Sequence, residues 1–135
     1  MRVRCTKILV PPFEDRDGGV EVAQDDAITI GKDYVVLFIC VDPKWGAEFA
    51  ILDDRPDSRS QWPARMFETV DDRMPSNWVA QYDEDGFLNI APRSWLVPGF
   101  WGQEYLESGY KSPEERLRSG RDYQRERDII IRESG

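Results

Sequence analysis

A chain of 135 residues with 40% hydrophobic and 12% aromatic side chains can build one real core and is too apolar to be disordered throughout. Its net charge is −8 and 33% of its residues are charged, so the surface is heavily solvated. It contains no histidine, which removes the commonest general acid/base, the commonest zinc nitrogen ligand and the usual near-neutral pH switch.

Residues 2–10 read as a first strand, Val3 and Cys5 alternating with Arg2 and Arg4, until Pro11 and Pro12 stop it. This apolar run is too short for a signal-peptide core, and no later segment approaches a membrane span, which predicts a cytoplasmic protein with no membrane partner. Residues 14–26, EDRDGGVEVAQDD, form an acidic loop with Gly18 and Gly19 at its tip. Order resumes at residues 28–30, and Gly31-Lys32-Asp33 turns the chain. Residues 34–41, YVVLFICV, suit a central strand buried on both faces.

Asp42-Pro43-Lys44-Trp45-Gly46 is a turn, followed by a strand at 48–52 and an acidic, proline-bearing loop at 53–60. Another strand is expected at 65–70. Residues 74–101, MPSNWVAQYDEDGFLNIAPRSWLVPGFW, hold three of the five tryptophans and three of the nine prolines. Within them, strands at 77–82 and 87–90 flank Asp83-Glu84-Asp85-Gly86, with glycine where a hairpin needs positive φ. Trp62, Trp78, Trp95 and Trp101 are expected in the core.

Beyond Pro92 the pattern turns helical. One or two helical turns are expected at 103–108. Ser112-Pro113-Glu114-Glu115 is a capping box with proline at the first helical position, and Gly120 is expected to end that helix. Residues 122–134 read as a further helix, with an edge strand through Ile129-Ile130-Ile131 as the alternative. The chain is thus expected to be a single α+β, β-rich domain over 1–135, β-rich to residue 97 and helical from 98. Its architecture is a small curled antiparallel sheet or SH3-like barrel with C-terminal helices, the barrel being the first choice.

Catalytic and cofactor signatures fail one by one. Gly31-Lys32 has neither the upstream glycine nor the following Ser/Thr of a phosphate loop. Asp25-Asp26, Asp53-Asp54 and Asp71-Asp72 are adjacent pairs, and neighbours on a strand point to opposite faces, so they read as solvated loop ends and no metal is expected. A Ser-His-Asp triad is impossible, and Cys40, inside an apolar run, should be an inert buried thiol like Cys5. The arginines of residues 116–127 alternate with acids, which reads as an ion-paired exposed helix and argues against nucleic acid. The chain is expected to be no enzyme and to need no cofactor.

Residues 14–57 carry twelve acids against four bases, which accounts for the whole net charge; the rest of the chain balances fourteen against fourteen. Such acidity serves solubility, and a field gathered in one segment also attracts a basic protein. Partner contacts are therefore expected at Asp53, Asp54 and Asp57, with Trp45 as a surface aromatic anchor from a neighbouring turn.

The order of motifs resembles a known group. Ile28-Thr29-Ile30-Gly31-Lys32-Asp33-Tyr34-Val35-Val36-Leu37, Phe67-Glu68-Thr69-Val70, Pro75-Ser76-Asn77-Trp78, Pro92-Arg93-Ser94-Trp95 and Pro98-Gly99-Phe100-Trp101 are similar to stretches of small bacterial immunity proteins of polymorphic-toxin and contact-dependent inhibition systems. The similarity spans about residues 28–101, and the acidic loops at 15–26 and 53–60 depart from it. It implies a non-catalytic protein that binds and neutralises a cognate toxin domain, a basic nuclease suiting the charge. No contact residues transfer with it. An SH3-like adaptor of unrelated role is the alternative.

Overall fold

The computed structural model describes residues 1–13, 18–97, 100 and 113–135, with helix side chains from residue 118 onward. Among the described residues nine strands precede one helix: β1 (Arg2–Cys5), β2 (Ile8–Val10), β3 (Val20–Val22), β4 (Asp33–Asp42), β5 (Gly46–Leu52), β6 (Arg59–Pro63), β7 (Phe67–Asp71), β8 (Trp78–Tyr82), β9 (Leu88–Pro92) and α1 (Pro113–Glu133). Short 3-10 helices lie at Ala64–Met66 and Arg93–Leu96. The fold is α+β and β-rich, as expected.

The main sheet has seven antiparallel strands built around β4. Five run in the order β6-β5-β4-β1-β7, and the β8–β9 hairpin joins β4 further along through Ile39↔Ile90, Cys40↔Asn89 and Val41↔Leu88. The strands β6 and β7 stand at opposite ends of that order, yet only the 3-10 helix Ala64–Met66 separates them in the chain. No ladder joins them, so the sheet curls without closing and the expected SH3-like barrel is corrected to an open curled sheet. A separate β2–β3 pair forms a second, two-stranded sheet.

Strand β4 is buried on both faces because it separates two apolar clusters. Val36 and Ile39 enter the larger one with Val3, Ile8, Phe49, Ile51 and Met66. Leu37 enters the smaller one with Ala91, Trp95, Phe100 and Ile130, beneath α1. Alternation puts Val36 and Leu37 on opposite faces, and a bulge between Val36 and Phe38 returns Ile39, three residues on, to the face of Val36. Trp95 is 1% exposed, stacks on Tyr123 with ring centroids 5.2 Å apart, and meets Phe38 edge-on at 6.1 Å. Trp78 is half-buried against both clusters and donates its indole N–H to the Leu37 carbonyl at 3.1 Å.

Several expected boundaries shift. The first strand divides at Thr6 and Lys7 into β1 and β2, which belong to different sheets. Residues 28–30 make only an isolated bridge, Asp25↔Ile28. The loop expected to reach Ser60 ends earlier, because Arg59 and Ser60 open β6 against Leu52 and Ile51. Gly120 does not end a helix: α1 runs through it for 21 residues, and Ile129-Ile130-Ile131 lie in that helix, with Ile130 fully buried. The expected turns at 103–108, the Ser112 cap and Trp101 lie outside the described residues.

Candidate functional site

Each expected contact residue has a definite place. Asp53 has a fully buried side chain, which accepts from the Arg55 backbone N–H at 2.9 Å, from the Arg55 guanidinium at 2.7 Å and from the Ser58 hydroxyl at 3.2 Å. Asp54 accepts from Thr29 Oγ1 at 2.7 Å, from the Tyr34 hydroxyl at 3.0 Å and from Lys32. For both, burial alone would raise the carboxyl pKa, but these hydrogen bonds hold it below the usual value. Their oxygens are occupied within the chain, so both act as staples of the loop.

Asp57 differs. It sits at φ 50° with its side chain 96% exposed, and Arg127 of α1 approaches its carboxylate to 3.8 Å. Trp45 is half-buried, with the Lys44 ammonium 4.7 Å from its ring centroid. All seven residues of β5 separate Trp45 from Asp53, a span of roughly 25 Å at about 3.3 Å per residue. The structure therefore keeps Asp53 and Asp54 together but places Trp45 at the far end of the strand.

At that far end a different acidic surface assembles. Pairing of β4 with β9 sets the turn 42–46 beside the hairpin turn 83–86, Pro43 lying against Gly86. Asp42 Oδ1 accepts the Lys44 and Trp45 N–H groups at 2.7 and 3.1 Å, and Asp83 Oδ1 accepts those of Asp85 and Phe87 at 2.9 and 3.0 Å. Each turn thus uses one aspartate to tie its own backbone, while Gly46 and Gly86 supply the positive φ of 91° and 84°. Glu84 and Asp85 point carboxylates into solvent with no intramolecular partner among the described residues.

Behind the two turns a cross-strand row runs Glu48–Cys40–Asn89–Gln81 over β5, β4, β9 and β8. Burial first, then the carboxylates of Glu48, Asp83 and Asp42, push the Cys40 thiol up to about 11, so it stays protonated and unreactive. Burial and the neighbouring Asp42 also raise Glu48. Among the described residues its carboxylate accepts one side-chain hydrogen bond, from Gln61 Nε2 at 3.4 Å. Among the described residues no cation pairs with Glu48, and no group of three or more Asp, Glu, Cys or His could hold a metal ion.

Sequence reading missed Glu48, Glu84 and Asp85 as a set. Both turns were visible as DPKWG and DEDG, but their adjacency depends on the non-local pairing of β4 with β9. On α1, Arg125 pairs with Asp122 at 3.1 Å and Glu126 at 3.3 Å, the ion-paired helix expected. No described helix is long and apolar enough to cross a membrane. Compared with protein-family models, curated proteins and solved structures, the chain finds no match.

Proposed function

We propose that this protein is a non-catalytic binding protein of the immunity class, which occupies a basic toxin domain and neutralises it in the cytoplasm. The observation that carries the reading is the placing of the turn 42–46 beside the hairpin turn 83–86 at one end of the sheet, which gathers Asp42, Asp83, Glu84 and Asp85 around the one base of those turns, Lys44. A field gathered on a rigid β scaffold raises the association rate with a basic partner and disfavours acidic ones. The resemblance of its motifs to those of immunity proteins points the same way, as does a chain without histidine whose thiols are buried or held protonated.

The test is co-expression with the product of the adjacent gene. Rescue of cells from that product, together with co-purification of a stoichiometric complex, is the expected result. A neighbour that is harmless and does not bind removes the immunity reading. A stable complex with a non-toxic partner assigns the chain to the adaptor class instead.

A further inference from the structure

Alternation along a strand gives the sheet two distinct faces. On the face toward α1, the row Phe38–Ala50–Gln61 adjoins the core beneath the helix, where Phe38 and Ala91 pack with Trp95 and Tyr123. One step further from the helix lies the row Glu48–Cys40–Asn89–Gln81, and beyond it the turns 42–46 and 83–86. Gln81 is exposed; Glu48, Cys40 and Asn89 are half-exposed. Four strands at about 4.8 Å spacing make this strip roughly 14 Å across. The helix-side bank is aromatic and aliphatic from Phe38 and Ala50 to the half-buried Leu96, with the exposed Gln61 at its β6 edge. The far bank carries Asp42, Asp83, Glu84 and Asp85 against the single base Lys44.

We infer that this strip of sheet face is the docking groove for an extended, lysine- or arginine-bearing segment of a protein partner, whose cation pairs with Glu48. Charge complementarity selects that occupant. Glu48 is a half-buried carboxylate beside Asp42 with no cation of its own, so an incoming ammonium or guanidinium satisfies a charge that folding leaves uncompensated. The amides of Asn89 and Gln81 supply donors and acceptors to main-chain or polar groups along the row. Leu96, which lines a small recess with Gln81 and Asn89, gives an apolar end contact. A second copy of this chain is disfavoured there, because its own Asp42, Asp83, Glu84 and Asp85 would meet like charge.

The inference rests on the proposal that the protein binds a basic partner, and names the surface used. Its test is an amide chemical-shift titration of the ¹⁵N-labelled full chain with a decapeptide of alternating Lys and Thr, beside a Ser/Thr peptide of equal length. Saturable shifts centred on Cys40, Glu48, Gln81 and Asn89 with the basic peptide alone are expected. Glu48→Gln, an isosteric change that leaves the fold intact, should weaken binding about fivefold, while Glu68→Gln on β7 should leave it unchanged. Shifts centred elsewhere, equal affinity in Glu48→Gln, or no shifts at millimolar peptide overturn the groove. The toxin-domain complex distinguishes the two levels: binding unaffected by Glu48→Gln removes the groove and leaves the binding role, whereas peptide binding with no toxin complex does the reverse.

Discussion

The hydroxyl of Tyr34 lies 3.0 Å from both carboxylate oxygens of Asp54 and accepts the Thr29 amide at 2.6 Å. Tyr34 is itself 3% exposed, so one phenol joins the central strand to two loops from inside the core. Asp54→Asn removes acceptor capacity for Tyr34, Thr29 and Lys32 together. The expected loss is about 1–3 kcal/mol of stability, with Tyr34→Phe close to it and the double variant less than additive. Denaturant unfolding of the four proteins measures this. Additive losses would show that the hydroxyl and carboxylate do not act as one unit.

Acid should loosen the same loop. The folded-state pKa values of Asp53 and Asp54 lie below the ordinary carboxylate value, so their contribution is complete above about pH 4. It is lost as pH falls through the unfolded value toward the folded one. Glu48 has the opposite sign: its folded pKa is raised, so its ionisation costs stability above that value and acid relieves the cost. Wild-type stability should therefore fall below about pH 4, Asp54→Asn should flatten that fall, and Glu48→Gln should be slightly more stable than wild type at pH 7. Thermal unfolding across pH 2.5–7, a range set by the ordinary carboxylate pKa of about 4, reads all three. A steeper acid dependence in Asp54→Asn would contradict the assignment.

The long helix offers a test of a different kind. Gly120 lies inside α1, and a Cβ built there meets no atom within 4 Å. Its φ is not positive, so alanine is compatible with the backbone and reduces the freedom of the unfolded chain. Gly120→Ala should stabilise the protein by about 0.5–1 kcal/mol. Calorimetry that found destabilisation would mean that this part of α1 is not helical in solution.

Why the glycine misled the sequence reading is instructive. As punctuation it marked a helix end, but Ser119, Tyr123 and Ile130 pack on the protein on either side of it, and tertiary burial outweighs a propensity cost of about 1 kcal/mol. Local signals served well where the determinant was local. The turn at Gly86, the run 34–41 and the buried Trp95 followed from alternation and turn chemistry. Failures arose where a distant partner decides. Residues 59–60 are strand only because β5 pairs with them, and residues 2–10 divide because their two halves serve different sheets. The placing of charge follows the same rule: charge counted along the chain singles out residues 53–57, whereas the fold engages Asp53 and Asp54 internally and sets Asp42 beside the exposed Glu84 and Asp85, about forty residues away in sequence.

That difference makes the source of steering separable by mutation. Glu84 and Asp85 are exposed at the hairpin tip and hold nothing in place, so Glu84→Gln with Asp85→Asn changes charge without touching the fold. Asp42 and Asp83 are unsuitable, since each ties its turn through two backbone amides. Against a basic toxin domain the double variant should associate several-fold more slowly at low salt, with a flatter dependence of rate on ionic strength and a nearly unchanged dissociation rate. Asp53→Asn with Asp54→Asn removes the same formal charge from the opposite end of β5. It should lower stability while leaving the association rate of the folded fraction close to wild type. Stopped-flow kinetics at three ionic strengths, with folded fractions fixed by circular dichroism, separate the two. If the loop pair slows association and the hairpin pair does not, the partner approaches the other end of the sheet, and the acids of the hairpin turn are there for solubility alone.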